Sequence, residues 1–157
     1  MLKKIKWIIL IILSIGIILL TYAMTLLRYA ETEVEALERY RLSLASLPEV
    51  EEVREVHRFN GLESYIVASI VLERGYDVYY FVFDDTVQHF FFASDLITEE
   101  EALQIAMSLI REAEMKRIIL GILNEMPIFE VQMELEDEIH YIVINALTGS
   151  VVMNFQI

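Results

Sequence analysis

The sequence contains no cysteine, and this absence excludes several kinds of chemistry at once. A disulfide framework, a thiolate metal site, a cysteine nucleophile and a lipid-modified N-terminal cysteine all need that residue. Proline and glycine are also scarce, with two and five occurrences in 157 residues. Neither occurs between Leu27 and Leu47, so nothing in that stretch forces a helix to end.

Basic residues are few and unevenly placed. The net charge is -13, which argues against a nucleic-acid partner because phosphate binding needs clustered lysine and arginine. Lys3, Lys4 and Lys6 precede the first apolar run, and no acidic residue occurs before Glu31. The rest of the chain therefore has 12 - 3 = 9 basic and 25 acidic residues, a balance of 9 - 25 = -16. Anionic lipids and anionic polymers repel a body with that charge.

The first long apolar run is "WIILIILSIGIILLTYAMTLL", residues 7–27, and it contains no charge. This length suits a helix that crosses a hydrocarbon core about 30 Å thick. Because lysines precede the run and acids dominate after it, the positive-inside rule places the N-terminus in the cytoplasm and the body outside the cell. A cleaved signal peptide and a buried core helix are alternatives. The run is long for a signal peptide and apolar on all sides, which favours a single-pass anchor in the lipid bilayer.

Residues 29–94 are predicted to form a first repeat outside the membrane, after a basic tip and anchor at residues 1–28. Apolar residues at helical spacing continue to Leu47, and Pro48 is expected to end that helix. Four runs rich in aromatic and β-branched residues then predict strands. They are "EVREVHRF", "LESYIVASIVL", "VYYFVF" and "VQHFFFA", with turn signals at "NG", "RGYD" and "DDT" between them.

Residues 95–157 are predicted to form a second repeat of the same pattern. Thr98 and Glu101 make a capping-box pattern at the start of the helix "ITEEEALQIAMSLIREAEM". Its apolar stripe consists of Ala102, Ile105, Ala106, Leu109 and Ala113. The strands that follow are "KRIILGIL", "IFEVQMELE", "IHYIVIN" and "VVMNFQI", with breaks at "NEMP", near Asp137 and at "ALTGS".

The two halves share a period, which suggests an internal duplication. The first strands start near Val53 and Arg117 and the last near Val87 and Val151, and both pairs are 64 residues apart. The predicted fold is α+β: an N-terminal transmembrane helix, then two repeats, each a helix packed on a four-stranded antiparallel sheet. Each repeat has only about 60 residues, so the two are expected to pack together.

The segment "INALTGSVV" (144–152) is predicted to be a hairpin turn and not a catalytic site. Gly149 can take positive φ, and Asn145 can hydrogen-bond the nearby backbone. A nucleophile at Thr148 or Ser150 would need a partner base, and no such residue is near them in sequence.

No catalytic, cofactor-binding or metal-ligating residue is predicted. His57, His89 and His140 lie in separate predicted strands, so a three-histidine zinc site is less favoured than ordinary strand histidines. The acidic run "ELEDE" (134–138) is interpreted as a solvated turn, with loose calcium binding as the alternative. The aromatic runs "YYFVF" and "HFFFA" favour sheet core but leave room for an exposed docking strip.

The second half resembles a PepSY domain. Such domains have a capped "ITEEEAL-IA" helix, a "P-x-[YF]-E-V" strand and a "V-D-A-x-T-G" hairpin. Their counterparts here are "ITEEEALQIA" (97–106), "PIFEVQM" (127–133) and "INALTGSVV" (144–152), in the same order. The departure is Asn145, where the family usually has aspartate. It puts a role for charge there in doubt, although a hairpin needs only a short hydrogen-bonding side chain.

With the anchor and "FNGLESYIVASIV" (59–71) in the first repeat, the whole chain resembles the TseB-like cell-wall elongation regulators of Gram-positive bacteria. The resemblance implies two cystatin-like PepSY repeats outside the membrane and no catalytic residues. It also implies action with a penicillin-binding transpeptidase. The alternative is a PepSY-type inhibitor or chaperone of an extracellular peptidase, because these domains resemble the propeptides of some secreted metallopeptidases. An enzyme of unrecognised type is a third possibility.

Overall fold

The structure is a computed structural model that describes the backbone of residues 2–157 and the side chains of residues 12–28 and 31–157. The chain divides between Arg39 and Tyr40 into two compact units. The first unit contains most of helix α1 (Leu2–Ala45). The second contains the last turns of α1, a second helix and two β-sheets.

Helix α1 contains the candidate membrane span of the described residues, which extends from Ile12 to Ala45. The hydroxyl of Thr21 donates to the carbonyl oxygens of Ile17 and Ile18, at 3.0 and 2.8 Å. Such bonds within the helix satisfy a polar group without water, as a lipid environment requires. By length and composition, the helix suits a membrane anchor or a signal segment. The lysines of the predicted basic tip and residues 7–11 of the predicted anchor have side chains outside the described residues.

The first sheet has four antiparallel strands in the order β1-β2-β3-β4. They are β1 (Val50–Asn60), β2 (Ser64–Leu72), β3 (Asp77–Phe83) and β4 (Thr86–Phe92). The turns lie where the sequence predicts them. Gly75 has a φ of 76°, and Asp84 and Asp85 have φ of 49° and 57°. Two consecutive residues with positive φ are typical of the tight turns that join twisted antiparallel strands.

A short 3-10 turn (Ala93–Asp95) and helix α2 (Glu99–Leu109) connect the two sheets. The predicted capping box is confirmed. The backbone N–H of Glu101 donates to the Thr98 hydroxyl at 3.1 Å, and the backbone N–H of Thr98 donates to the Glu101 carboxylate at 2.7 Å. These two bonds satisfy backbone donors that a helix N-terminus otherwise leaves free.

The predicted C-terminus of α2 is wrong, because the helix ends at Leu109 and does not continue to residue 115. Leu109 is 47% exposed, and the next residue, Ile110, is buried in its place. Glu112 then adopts a φ of 67°, which turns the chain toward the strand that begins at Glu114. Pairing of that strand, a tertiary interaction, overrides the helical pattern of the sequence.

The second sheet is also antiparallel, in the order β5-β6-β7-β8. Its strands are β5 (Glu114–Leu123), β6 (Met126–Leu135), β7 (Glu138–Asn145) and β8 (Val151–Gln156). Positive φ at two pairs of adjacent residues closes the first two hairpins: Asn124 with Glu125, and Glu136 with Asp137. All four predicted strands of this half are confirmed.

The expectation of one helix for each sheet is only half confirmed. Helix α2 covers the second sheet, and its Ala102 and Ala106 are fully buried. The first sheet has no separate helix in the described chain, because the helical residues before β1 are the end of the 44-residue α1. In that end, Leu44 is buried, and the Tyr40 hydroxyl donates to the Asp85 carboxylate at 2.7 Å.

The two sheets share one hydrophobic core, as expected for halves that are too small to stand alone. Phe59 of β1 lies against Gly121 of β5, where a Cβ atom would come within 3.0 Å of the phenyl ring. Beside it, His57 Nε2 is 2.9 Å from the carbonyl oxygen of Leu120. This contact assigns the proton to Nε2, because a carbonyl oxygen can only accept. Close packing at glycine and one polar bond therefore join β1 to β5.

Candidate interaction surfaces

A cluster of aromatic rings, here called the aromatic strip, lies on one face of the β3–β4 hairpin. It consists of Tyr76, Tyr80, Phe90 and Phe92. Tyr80 and Phe90 are directly opposite each other across the two strands. Ring centroids are 6.4 Å apart for Tyr80 and Phe90, 5.9 Å for Tyr76 and Phe92, and 5.9 Å for Phe90 and Phe92. All three contacts are edge-on, the geometry that aromatic quadrupoles favour, so the strip is one continuous surface.

The alternation of a β-strand explains why part of β4 is exposed. Successive side chains of a strand point to opposite faces. Phe91 therefore points to the core, where its ring centroid lies 5.7 Å from that of the buried Phe81. Phe90 and Phe92 point to the other face, and Phe90 is 57% exposed. Because β4 is an edge strand, the sequence prediction of sheet core holds for only one of its faces.

A groove of about 540 Å³ adjoins the strip at Phe92 and Tyr76. It is also lined by Pro48, Glu49, Leu72, Glu73 and Arg74. Burial, and secondarily the charge of Glu49, raises the pKa of the Tyr80 phenol above its ordinary value. The phenol therefore stays protonated at neutral pH and can donate a hydrogen bond. The strip and groove together offer a large apolar area with polar groups at its border, which is the usual composition of a protein-binding surface.

A second, polar cavity of about 180 Å³ lies where the two sheets meet. Its polar lining consists of Glu55, His57, Ser69, Tyr79, Glu99 and Arg117. Burial is the main cause that raises the pKa of Tyr79, followed by the charges of Glu99, Glu55 and Asp77, while Arg54 lowers it. This combination favours the neutral phenol. Since His57 Nε2 is engaged by the Leu120 carbonyl, only the other ring nitrogen, 3.7 Å from the Glu55 carboxylate, faces the acids.

The three histidines considered as a zinc site lie on β1, β4 and β7. His57 is at the sheet junction, and His89 is on the first sheet near Tyr65, with ring centroids 6.5 Å apart. His140 is on β7, and its Nε2 is buried without a hydrogen-bond partner. Within the part of the chain that the structure describes, no group of three or more histidine, aspartate or glutamate side chains is placed to hold a metal ion.

The segment 144–152 has the geometry of a hairpin turn. The Asn145 side-chain oxygen accepts from the backbone N–H groups of Leu147 and Thr148, at 2.8 and 3.2 Å. Gly149 has a φ of 72°, and its N–H donates to the Asn145 carbonyl at 2.9 Å. The Thr148 hydroxyl donates to that of Ser150 at 3.1 Å. These bonds are what a turn requires, and an amide serves in them as well as the aspartate of the PepSY pattern would.

The acidic run 134–138 occupies the tip of the β6–β7 hairpin, as the turn interpretation predicts. Glu136 and Asp137 are the two turn residues with positive φ. Glu134 is bound by Lys116, with 2.6 Å between the ammonium nitrogen and the carboxylate oxygen. The first acid of the run therefore already has a cationic partner.

Comparisons with known proteins give a match at the level of fold. No family model and no curated protein sequence matches the chain. The structure is similar to that of the YpmB protein from Bacillus subtilis, with a TM-score of 0.63 and 19% sequence identity. The match covers 81% of this chain and 96% of YpmB. A candidate lipoprotein from Clostridium difficile 630 gives a TM-score of 0.43 at 10% identity, over 79% of this chain and 91% of that one. The YpmB match supports the α+β fold expected from the PepSY resemblance.

Proposed function

We propose that this protein is a non-enzymatic, membrane-anchored regulator of cell-wall elongation that binds a penicillin-binding transpeptidase through the aromatic strip. The single observation that carries the proposal is the strip itself. Four aromatic side chains in mutual contact, two of them more than half exposed, are costly to leave in water. Aromatic residues clustered in this way are typical of the small sets that dominate protein–protein binding energy.

The anchor and the charge of the body limit where the partner lies. A helix of membrane-spanning length precedes the sheets, and Lys3, Lys4 and Lys6 precede the apolar run. The positive-inside rule then places the sheets on the extracytoplasmic face, where wall synthesis occurs. Because the body has a balance of -16, it binds most readily to a basic or uncharged surface of the partner.

Site-specific crosslinking in living cells tests the proposal directly. A photo-crosslinking amino acid replaces Phe90 in the full-length protein, and the captured proteins are identified. The matched control is the same substitution at Leu62, which is 79% exposed but lies in the β1–β2 turn. We expect capture of a penicillin-binding protein from position 90 and much less from position 62. Equal capture at both positions would contradict a role for the strip.

A paired substitution measures how much the strip contributes to binding. Phe90→Ala with Phe92→Ala removes two interface rings, and the loss of central aromatic anchors costs about 2 kcal/mol or more each. We therefore expect recovery of the transpeptidase to fall at least roughly tenfold. Deletion of the protein should alter cell length or width. Unchanged morphology together with unchanged synthase abundance would refute the proposed function.

The peptidase inhibitor is the second candidate, and the free edge of β4 is the observation that favours it. An edge strand can receive the extended chain of a peptidase or its substrate by β-augmentation. In the crosslinking experiment, capture of an extracellular peptidase at position 90 would favour this function. Incubation of the full-length protein with that peptidase then decides it, because an inhibitor slows cleavage at micromolar concentration.

A further inference from the structure

Strand β8 is a free edge of the second sheet and is exposed on both of its faces. All of its residues are exposed, including the apolar Val151, Val152, Met153 and Phe155. Natural sheet edges are usually protected by lysine, proline, a bulge that twists the edge away, or a covering element. Residues 145–157 contain neither a charged residue nor a proline. An apolar edge without charge is suited to pairing with another strand.

The backbone of β8 sets how a further strand would pair. Ile139 and Ile157 exchange two hydrogen bonds, at 2.9 and 3.3 Å, so the backbone groups of Ile157 point inward to β7. In an antiparallel sheet the direction of these groups alternates along the strand. The N–H and C=O groups of Gln156 and Asn154 therefore point out toward the open edge.

We propose that two copies of this chain associate through β8, in an antiparallel pairing with the two-fold axis at Asn154. In this register each Asn154 is hydrogen-bonded to Asn154 of the other copy, and the outward groups of both strands find partners. Met153 lies opposite Phe155 of the second copy, on the same face of the sheet. The two four-stranded sheets become one sheet of eight strands, and both copies use the same surface, as a two-fold interface requires.

Charge favours a second copy as the occupant of this edge. The body has a balance of -16, so two copies repel each other over most of their surface. The β8 edge is an uncharged part of that surface, and two copies can approach there without placing like charges together. A strongly basic partner, which the rest of the body would attract, finds no opposite charge on this strand.

The side chains of β8 also complement themselves. Phe155 is stacked on Tyr141 of β7, with ring centroids 5.1 Å apart and an angle of 4° between the rings. In the proposed register, Met153 of the second copy extends this row, and sulfur–aromatic contact is favourable. The inference goes beyond the proposed function and depends on different residues, since the aromatic strip lies on the other sheet.

Disulfide crosslinking tests the register, because the chain has no cysteine of its own. Asn154→Cys is introduced into the full-length protein in membranes, which are then oxidised. Hydrogen-bonded antiparallel pairs have Cα atoms about 5.5 Å apart, within the range of a disulfide. Gln156→Cys is the matched control, because the two copies of residue 156 are offset by four residues, about 13 Å. We expect dimers from Cys at 154 and none from Cys at 156. No dimer at 154, equal dimers at both, or crosslinks to another protein would overturn the proposal.

A charge substitution tests the association without a crosslink. In Asn154→Lys, two ammonium groups face each other across the two-fold axis, whereas Asn154→Gln keeps a neutral amide there. The full-length protein in detergent is measured by light scattering after gel filtration. We expect two copies for the original protein and the Gln variant, and one copy for the Lys variant with an unchanged circular dichroism spectrum. A single copy in the original protein, or two copies in the Lys variant, would refute pairing through β8.

Discussion

The substitution Gly121→Ala tests how the two sheets are joined. The Phe59 ring is 4% exposed and lies between two glycines, Gly121 and Gly61. A Cβ at residue 121 would come within 3.0 Å of three ring carbons, and a Cβ at residue 61 within 3.0 Å of another. The ring therefore cannot move away from Gly121 without meeting Gly61. The added methyl group must displace either the ring or strand β5.

The expected loss of stability follows from two opposing effects. Inserting a methyl group into a packed core costs roughly 1–3 kcal/mol. Replacing glycine by alanine within a strand recovers roughly 0.5–1 kcal/mol, since glycine loses more backbone freedom on folding. The net expectation for Gly121→Ala is a free energy of unfolding lower by about 1–2 kcal/mol. Gly16→Ala is the matched control, because no atom lies within 4 Å of a Cβ at that position.

Urea unfolding of the full-length protein in detergent, followed by far-ultraviolet circular dichroism, measures these changes. A double-mutant cycle with Phe59→Leu then identifies the cause. The smaller side chain should make room for the methyl group, so the combined loss should be less than the sum by about 1 kcal/mol. If Gly121→Ala leaves stability unchanged, or if the two losses add to within about 0.5 kcal/mol, the ring does not constrain residue 121 and the reasoning fails.

Two further predictions concern the cap of α2 and the β7–β8 turn. Thr98→Ala should lower the free energy of unfolding by about 1 kcal/mol, because the helix loses its N-cap acceptor. The backbone N–H of Thr98 lowers the pKa of Glu101, so Glu101 contributes stability above its unfolded pKa and loses it as pH falls through its folded pKa. Glu101→Gln should therefore destabilise at neutral pH but not in acid, and a loss independent of pH would contradict this. Asn145→Ala should cost about 1–2 kcal/mol through two lost hydrogen bonds, and Asn145→Asp less. Equal losses in urea unfolding would show that the side-chain acceptor is not what matters.

Short-range signals in the sequence predicted most of the fold. The capping box needs only Thr98 and Glu101, and the turns need only residues that accept positive φ. The C-terminus of α2 was predicted too late, because its position depends on where β5 pairs with β6. No local pattern distinguishes Leu109, which is exposed, from Ile110, which is buried. Such differences arise from tertiary packing.

The candidate surfaces were predicted less well for a related reason. Three consecutive phenylalanines in β4 show that both faces of the strand are apolar, but not that one face is open. That depends on β4 being at the edge of its sheet. Tyr76 was assigned to a turn, although it joins Phe92 in the aromatic strip. A useful signal in the sequence is a continuous apolar run in the last strand of a predicted meander, and β8 has the same feature.

The structure supports the predicted duplication with features that the sequence period alone does not reveal. Strands β1 and β5 begin at Val50 and Glu114, a separation of 114 - 50 = 64 residues. The last strand of each sheet contains a bulge. The pairing skips Gln88 in β4 and Val152 in β8, and these positions are 152 - 88 = 64 residues apart. Matching bulges at one period are unlikely products of two unrelated sheets.

The first strands carry a second matching bulge, with a basic residue at each. The pairing skips Arg54 in β1 and Lys116 in β5, a separation of 116 - 54 = 62 residues. Each contacts the acid two residues before it, Glu52 at 3.6 Å and Glu114 at 3.1 Å. Each also contacts a second acid: Asp77 at 2.9 Å and Glu134 at 2.6 Å. Exposed ion pairs contribute only about 0–1 kcal/mol, so a need for stability gives little reason for both sheets to carry this arrangement. A duplicated strand meander explains it, and the duplication then includes the sheets but not their helices, since only α2 is a separate helix.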